Sequence, residues 1–327
     1  MKAFVLPSFG SPDKLTLTDV PVPVPGDSQV LVRVHATSVN PYDWHHMRGE
    51  PYVARLMGGF PLRRPKFAVL GADVAGVVEA IGKDVTGFSP GDEVYALAES
   101  GGFGEYACVE ASELAHKPEN LSFEQAASVP LAGGTALLAV RDVGRVRPGH
   151  KVLVNGASGG VGTFAVQLAR AMGAEVTGVC GPRNVDLVRS IGADHVIDYT
   201  EQDFTQAGRR YDVVIGIAGN RMLPSCRRAL TPDGTYVIVG GDGGRWLQPV
   251  GYTFFSLALG ALVSQRVGLV EVIGCPTTKA NLDTLTDYVT DGRVTPVIDR
   301  VYPFEEIPDA VRYVEQGHVP GKVVVKI

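Results

Sequence analysis

The stretch 151-KVLVNGASGGVG-162 decides the fold. Lys151 to Asn155 form a short apolar run with two valines, the pattern of a strand buried on both faces of a parallel sheet. The run passes directly into Gly156-Ala157-Ser158-Gly159-Gly160-Val161-Gly162 and then into TFAVQLARAMG, whose apolar residues recur at helical spacing. Gly159 and Gly162 hold the spacing of the last two glycines of a GxGxxG fingerprint, with Ala157 in the first place. A strand, a glycine turn and a helix in this order suit a pyrophosphate. The turn is tight, the backbone approaches without a Cβ in the way, and the helix aims its N-terminal N–H groups at the anion.

Downstream, EVTGVC, HVIDY, DVVIGIAG and TYVIVGG read as further short buried strands, separated by helical signals such as NVDLVRSIG and MLPSCRRAL. Repeated βα units in one run predict an α/β, doubly wound parallel sheet, with EVIGC (Glu271 to Cys275) as its last strand. Upstream the pattern is all β. QVLVRVHATSV alternates apolar and polar residues at period two, and VLGADVAGVVEAIG, DEVYALA and GGFGEYACV follow with Gly-rich connections, as in a compact barrel or sandwich. Ser122, followed by Glu124 and Gln125, is a helix-capping signal and marks the change. After Pro276 come a helix ending at Gly292, strand-like VTPVIDRVYPF, a short helix over Ile307 to Gln316, and GKVVVKI. These belong by pattern to the β-rich part. The expected organisation is therefore a split domain, residues 1–122 and 277–327, around a nucleotide-binding domain of residues 123–276.

Composition removes other classes. The chain has 327 residues and a net charge of −5, with no basic stripe, so nucleic acid is not an expected partner. Apolar residues make up 45 %, which excludes global disorder. The four cysteines are scattered without a CxxC pair, so a reduced, cytoplasmic protein is expected, with Cys180 a small buried filler. The run MKAFVLPSFG is broken by Pro7 and reads as a first strand rather than a signal peptide. The long uncharged stretch from Trp246 to Gln265 is interrupted by Gln248, Pro249, Thr253, Ser256 and Ser264, so a buried helix or an oligomer contact is expected instead of a membrane span.

The second strand of the nucleotide domain ends at Cys180, where an acid would bind the ribose hydroxyls of NAD. Arg183 stands nearby and suits the 2′-phosphate of NADP; its bland alternative is a surface arginine opening a solvated helix. With these residues read, the whole chain resembles the medium-chain dehydrogenase/reductase superfamily and its zinc-independent quinone oxidoreductase branch. The matching stretches are Asn40-Pro41-Tyr42-Asp43, Gly71-Ala72-Asp73-Val74-Ala75-Gly76, Gly91-Asp92-Glu93-Val94, Ala132-Gly133-Gly134-Thr135-Ala136, the loop from Asn155 to Gly162, and Gly321-Lys322. The resemblance implies a GroES-like β-barrel catalytic domain interrupted by a Rossmann domain, NADPH as hydride donor, and a homodimer.

The family's zinc enzymes place a Cys where this chain has Asn40, and a His-Glu pair after a glycine where it has Ala72-Asp73. Neither Asn40 nor Ala72 offers the thiolate or imidazole zinc prefers, so no metal is expected. Carried over, the resemblance sets Asn40 near the nicotinamide ribose or substrate and Thr135 on the nicotinamide amide. It sets Ser158, Gly159, Gly160 and Val161 on the pyrophosphate, Arg183 and Tyr199 around the 2′-phosphate and adenine, and Lys322 among the cofactor-binding residues. Tyr52 and His45 are the side chains considered for the proton. The expected reaction is hydride transfer to a quinone or an α,β-unsaturated carbonyl. An alcohol–aldehyde reductase and a non-catalytic NADPH-binding sensor are the rival readings.

Overall fold

The computed structural model describes residues 1–57, 61–219, 221–240, 246–247, 250–260, 262–276 and 278–327; Gln248 and Pro249 of the uncharged stretch lie outside them. The chain divides into two compact units. One comprises Met1–Gly134, Ile273–Asp291 and Pro296–Ile327, and the other Thr135–Val272 with Gly292–Thr295.

The first stretch carries β1 (Lys2–Val5), β2 (Thr16–Asp19), β3 (Gln29–Val39), α1 (Pro41–Arg48), α2 (Tyr52–Leu56), β4 (Asp73–Ile81), β5 (Glu93–Leu97), β6 (Tyr106–Glu110), β7 (Leu114–His116), α3 (Phe123–Ala127) and α4 (Pro130–Leu137). Strand β3 is the spine. Its first half pairs antiparallel with β6, and most of its length pairs antiparallel with β4. The period-two pattern of β3 buries Val30, Val32 and Val34 in one cluster with Val74, Val78, Val94 and Val109.

The second unit carries β8 (Lys151–Asn155), α5 (Gly160–Ala171), β9 (Glu175–Cys180), α6 (Val185–Ser190), β10 (His195–Asp198), β11 (Tyr211–Gly216), α7 (Leu223–Cys226), β12 (Leu230–Ile238), α8 (Val250–Gly260) and β13 (Arg266–Leu269). Its six strands are all parallel, in the order β10-β9-β8-β11-β12-β13. The last strand is Arg266–Leu269, in register with Thr235–Ile238, and not Glu271 to Cys275. Residues 273–274 form a turn with Gly274 at φ +69°, where the expected strand would have needed extended backbone.

The chain then returns to the first unit with α9 (Thr278–Thr290), β14 (Ile298–Pro303), α10 (Ile307–Glu315) and β15 (Lys322–Lys326). Strand β15 lies inside that unit's sheet, parallel to β14 and antiparallel to the second half of β3. The boundary after β7 also falls later than the capping signal suggested. Ser122 does cap α3, its Oγ accepting from the Gln125 N–H, but α3 packs on β3 and β4 of the first unit. The cap marks a helix start and says nothing of which sheet the helix covers.

Candidate active site

In the first unit, β3 ends at Val39 and Asn40 precedes α1, with Pro41 preset for the first helical position. The Asn40 N–H donates to Asp43 Oδ2 at 2.8 Å, as in a capping box, while Asp43 Oδ1 accepts from the N–H groups of Gly71 (3.1 Å) and Ala72 (3.2 Å). Asp43 is fully enclosed. Burial pushes its carboxyl up to about 7, against the N–H groups that favour the ionised form.

The Asn40 side chain takes part in a second, tighter knot. Asp73, the first residue of β4, is wholly buried, and its Oδ2 accepts from Ser38 Oγ (2.5 Å), Asn40 Nδ2 (2.9 Å) and Lys322 Nζ (3.3 Å). Its Oδ1 accepts the Leu131 N–H in the first turn of α4 at 2.8 Å. Lys322 Nζ also donates to Asn40 Oδ1, and Asn40 Nδ2 gives a further hydrogen to the Ser38 carbonyl at 3.3 Å. Asn40 and Lys322 are 2 % and 3 % exposed. A buried carboxylate needs this many donors, because removing one partner of such a pair typically costs about 3–5 kcal/mol.

The knot bears directly on two expected site residues. Both hydrogens of the Asn40 amide and its carbonyl oxygen are engaged inside the protein. The Lys322 ammonium likewise serves Asn40 and Asp73. Ser38, Asp43, Asp73 and the Leu131 N–H are functional neighbours that reading the residues singly does not disclose. Among the described residues no group of three His, Cys, Asp or Glu side chains is arranged to hold a metal ion. Where the resemblance would seek zinc ligands, an asparagine, an alanine and an aspartate paired to a lysine stand instead.

His45 and His46 sit on α1. His45 Nδ1 lies 2.9 Å from the Glu50 carbonyl oxygen and His46 Nδ1 3.0 Å from that of Tyr42; a carbonyl only accepts, so each proton resides on Nδ1. Burial holds His45 down to about 4, and its ring stacks on Trp44 with centroids 3.7 Å apart. At neutral pH His45 is thus neutral, with a lone pair and no proton on Nε2. It is poorly placed as the proton source. Tyr52 opens α2 half-buried, and the Arg55 guanidinium lies 5.0 Å from its ring centroid.

In the second unit, β8 delivers the glycine turn. Gly156 has φ +98°, a conformation a side chain would strain. A Cβ on Gly162 would stand 2.0 Å from the Gly156 oxygen, so only glycine lets the first turn of α5 close onto the strand. Gly159 is the N-cap with extended backbone, no side chain caps α5, and a Cβ there would meet nothing nearer than the Gly156 oxygen at 3.7 Å. The N–H groups at the start of α5, from Gly160 and Val161 onward, lack partners within the helix by its geometry. Ser158 Oγ accepts from Asn184 Nδ2 at 3.2 Å, tying the loop to the segment after β9.

That segment opens at Cys180, which is buried and whose thiol burial pushes up to about 11, consistent with an inert filler. Gly181 follows, and a Cβ there would stand 3.1 Å from the Tyr199 hydroxyl; the Tyr199 N–H donates to the Cys180 oxygen at 3.1 Å. Arg183 is exposed in the turn Pro182–Asn184, and Tyr199 is 47 % exposed just beyond β10. Loop, arginine and tyrosine thus lie around one strand end, with no acidic residue between Cys180 and Asn184. Thr135 lies buried on α4, one helical turn beyond Leu131.

Residues 26–119 match the model of the alcohol dehydrogenase GroES-like domain, and residues 191–325 match that of a zinc-binding dehydrogenase. The chain is 35 % identical to the mouse (Mus musculus) mitochondrial NAD(P)H oxidoreductase RTN4IP1, over all of this chain and 89 % of that one. It is 33 % identical to the chloroplastic NADPH-dependent alkenal/one oxidoreductase of Arabidopsis thaliana, over 99 % of this chain and 79 % of that protein. The solved quinone oxidoreductase of Coxiella burnetii superposes with a TM-score of 0.86 at 31 % identity, covering 100 % of this chain and 99 % of its own. The chain belongs to the medium-chain dehydrogenase/reductase superfamily, in its quinone oxidoreductase branch. It is an oxidoreductase. Its units are the GroES-like and Rossmann domains of that superfamily. Among the described residues no helix is long and apolar enough to cross a membrane.

Proposed function

We propose that this quinone oxidoreductase relative is a zinc-independent enzyme that uses NADPH to reduce a quinone or an α,β-unsaturated carbonyl. The observation that carries the reading is the phosphate loop beside a β9 end that offers Arg183 in place of an acid. The residues present fit the cofactor. The uncapped start of α5 would hold its pyrophosphate, Arg183 and Tyr199 its 2′-phosphate and adenine, and Thr135 its carboxamide. NADPH, when bound, supplies the hydride. The chain's own residues orient donor and acceptor, a service worth several powers of ten in rate when the reacting atoms are held about 3–3.5 Å apart. Asp73 contributes by fixing the Leu131 N–H, and with it the helix that carries Thr135. With His45 neutral, the Tyr52 phenol or water provides the proton.

Purified protein is expected to oxidise NADPH, followed by absorbance, only when a quinone or enone is present, and to contain no stoichiometric zinc. About one tightly held zinc per chain, lost together with activity on chelation, would overturn the metal-free reading. Firm NADPH binding with no turnover on any quinone or enone would assign the chain to the sensor class.

The reading includes a homodimer. Helix α8 leaves Phe254 57 % and Phe255 48 % exposed, Leu257 is exposed one turn along and Leu262 just past the helix, and apolar area costs about 25 cal/mol per Å² left in water. The occupant in this reading is the same face of a second copy. Light scattering should give a dimer at micromolar concentration and a monomer for Phe254→Glu/Phe255→Glu; a monomeric wild type would reject it. The cytoplasm is the compartment this reading carries, supported by four cysteines that are all free; cell fractionation tests it.

A further inference from the structure

Beyond the phosphate loop, the second unit holds a cavity of about 380 Å³ at the opposite ends of its strands. It is lined by His150, immediately before β8, by Asp212 near the start of β11, by Thr231 and Thr235 of β12, and by Arg266, the first residue of β13. Arg145 and Arg147, from the segment leading into β8, complete the wall. Strand β8 separates this cavity from the glycine turn by about 16 Å at ~3.3 Å per residue. A cofactor seated on that turn through its pyrophosphate does not account for it.

The charges here are unspent. Among the described residues none of the three guanidinium groups has a hydrogen-bond or ion-pair partner, although Asp212 and Asp233 line the same cavity. Asp212 Oδ2 instead accepts the Lys151 N–H at 2.8 Å. His150 Nδ1 is buried without a partner. Arg145 has φ +49°, the left-handed region that a residue with a Cβ rarely adopts. Strain of this kind persists where the surroundings enforce it, and it clusters at binding sites. Three free arginine forks, an imidazole able to donate and two threonine hydroxyls form the donor set that recognises phosphate oxygens.

The geometry points to a second ligand site at the amino ends of the parallel strands, which takes a small phosphorylated molecule carrying a monophosphate or diphosphate group. The volume lies at the lower end of the usual range for small-molecule sites, which suits one compact phosphate ester and not a dinucleotide. Three arginines against two aspartates leave a local excess of one positive charge on a chain whose net charge is −5.

The test is calorimetric titration of inorganic pyrophosphate into wild type with NADPH saturating, so that the glycine loop is blocked. Binding is expected to persist, to weaken by at least tenfold in Arg147→Gln and to vanish in Arg145→Ala/Arg147→Ala, while Arg183→Ala leaves it in place. A thermal melt checks that the double variant is folded; if it is not, Arg147→Gln decides alone. Binding that NADPH abolishes would place the anion on the cofactor loop and overturn the proposal. So would binding indifferent to both arginine variants, or none at millimolar pyrophosphate. Since NADPH binding is measured separately in the same experiment, its failure is distinguishable from failure of the second site.

Discussion

A conjugated ketone should be reduced with a kcat/KM about 10²–10³ times that of its saturated counterpart, the factor an oxyanion donor typically contributes. Hydride arriving at a conjugated acceptor leaves negative charge that the acceptor spreads over its own atoms. A saturated carbonyl concentrates that charge on one oxygen and requires a donor or a Lewis acid there. Apart from the Tyr52 phenol, the donors expected in the first unit are already engaged. Asn40 gives its amide hydrogens to Asp73 and Ser38, Lys322 serves Asn40 and Asp73, and His45 carries its one proton toward Glu50. Steady-state kinetics on a quinone, an enone and the saturated ketone would measure the ratio. Equal or better activity on the saturated compound would move the chain to the alcohol dehydrogenase class.

Arg183→Ala should weaken NADPH binding by about 10- to 150-fold and leave NADH almost unchanged. The range follows from about 1.5–3 kcal/mol for a hydrogen bond to a charged group, at 1.4 kcal/mol per decade. Arg183 is exposed, so salt screens its field, and the lower part of the range applies at physiological ionic strength. Fluorescence titration of both cofactors at two salt concentrations measures it. An equal loss for both would show that Arg183 does not contact the 2′-phosphate.

Where a local pattern dictates the structure, it was legible. The stretch QVLVRVHATSV is β3 from end to end; its alternation shows where Arg33 and His35 break the burial, while Ala36 to Val39 are buried on both faces. The turn Gly156 to Gly162 needs glycine at named places, so its residues identify it. The end of the Rossmann sheet was not legible. Arg266–Leu269 and Glu271 to Cys275 are both apolar and β-rich, and only the register against Thr235–Ile238 chooses between them. The Asp73–Lys322 pair was also hidden, its members 249 residues apart. They meet because β15 and β4 flank β3, a sheet order no local pattern encodes. What Asn40 and His45 can give was hidden for a related reason. Residue type shows what a side chain can donate, and only its neighbours show whether the proton is still available.

The place of β15 bears on the order in which the molecule matures. The six parallel strands of the second unit are complete once the chain has been made through β13. The sheet of the first unit, begun with β3, lacks an internal strand until Lys322–Lys326 emerges and inserts between β14 and β3. Pairings so distant in sequence close slowly, because the intervening loop's entropy is lost before any contact repays it. Until then the second half of β3 shows a bare edge, the kind of surface that recruits stray strands. Asp73 meanwhile lacks its cation. The ammonium of Lys322 arrives with the same strand that seals the edge, so charge compensation and sheet closure are one late event on the assembly line.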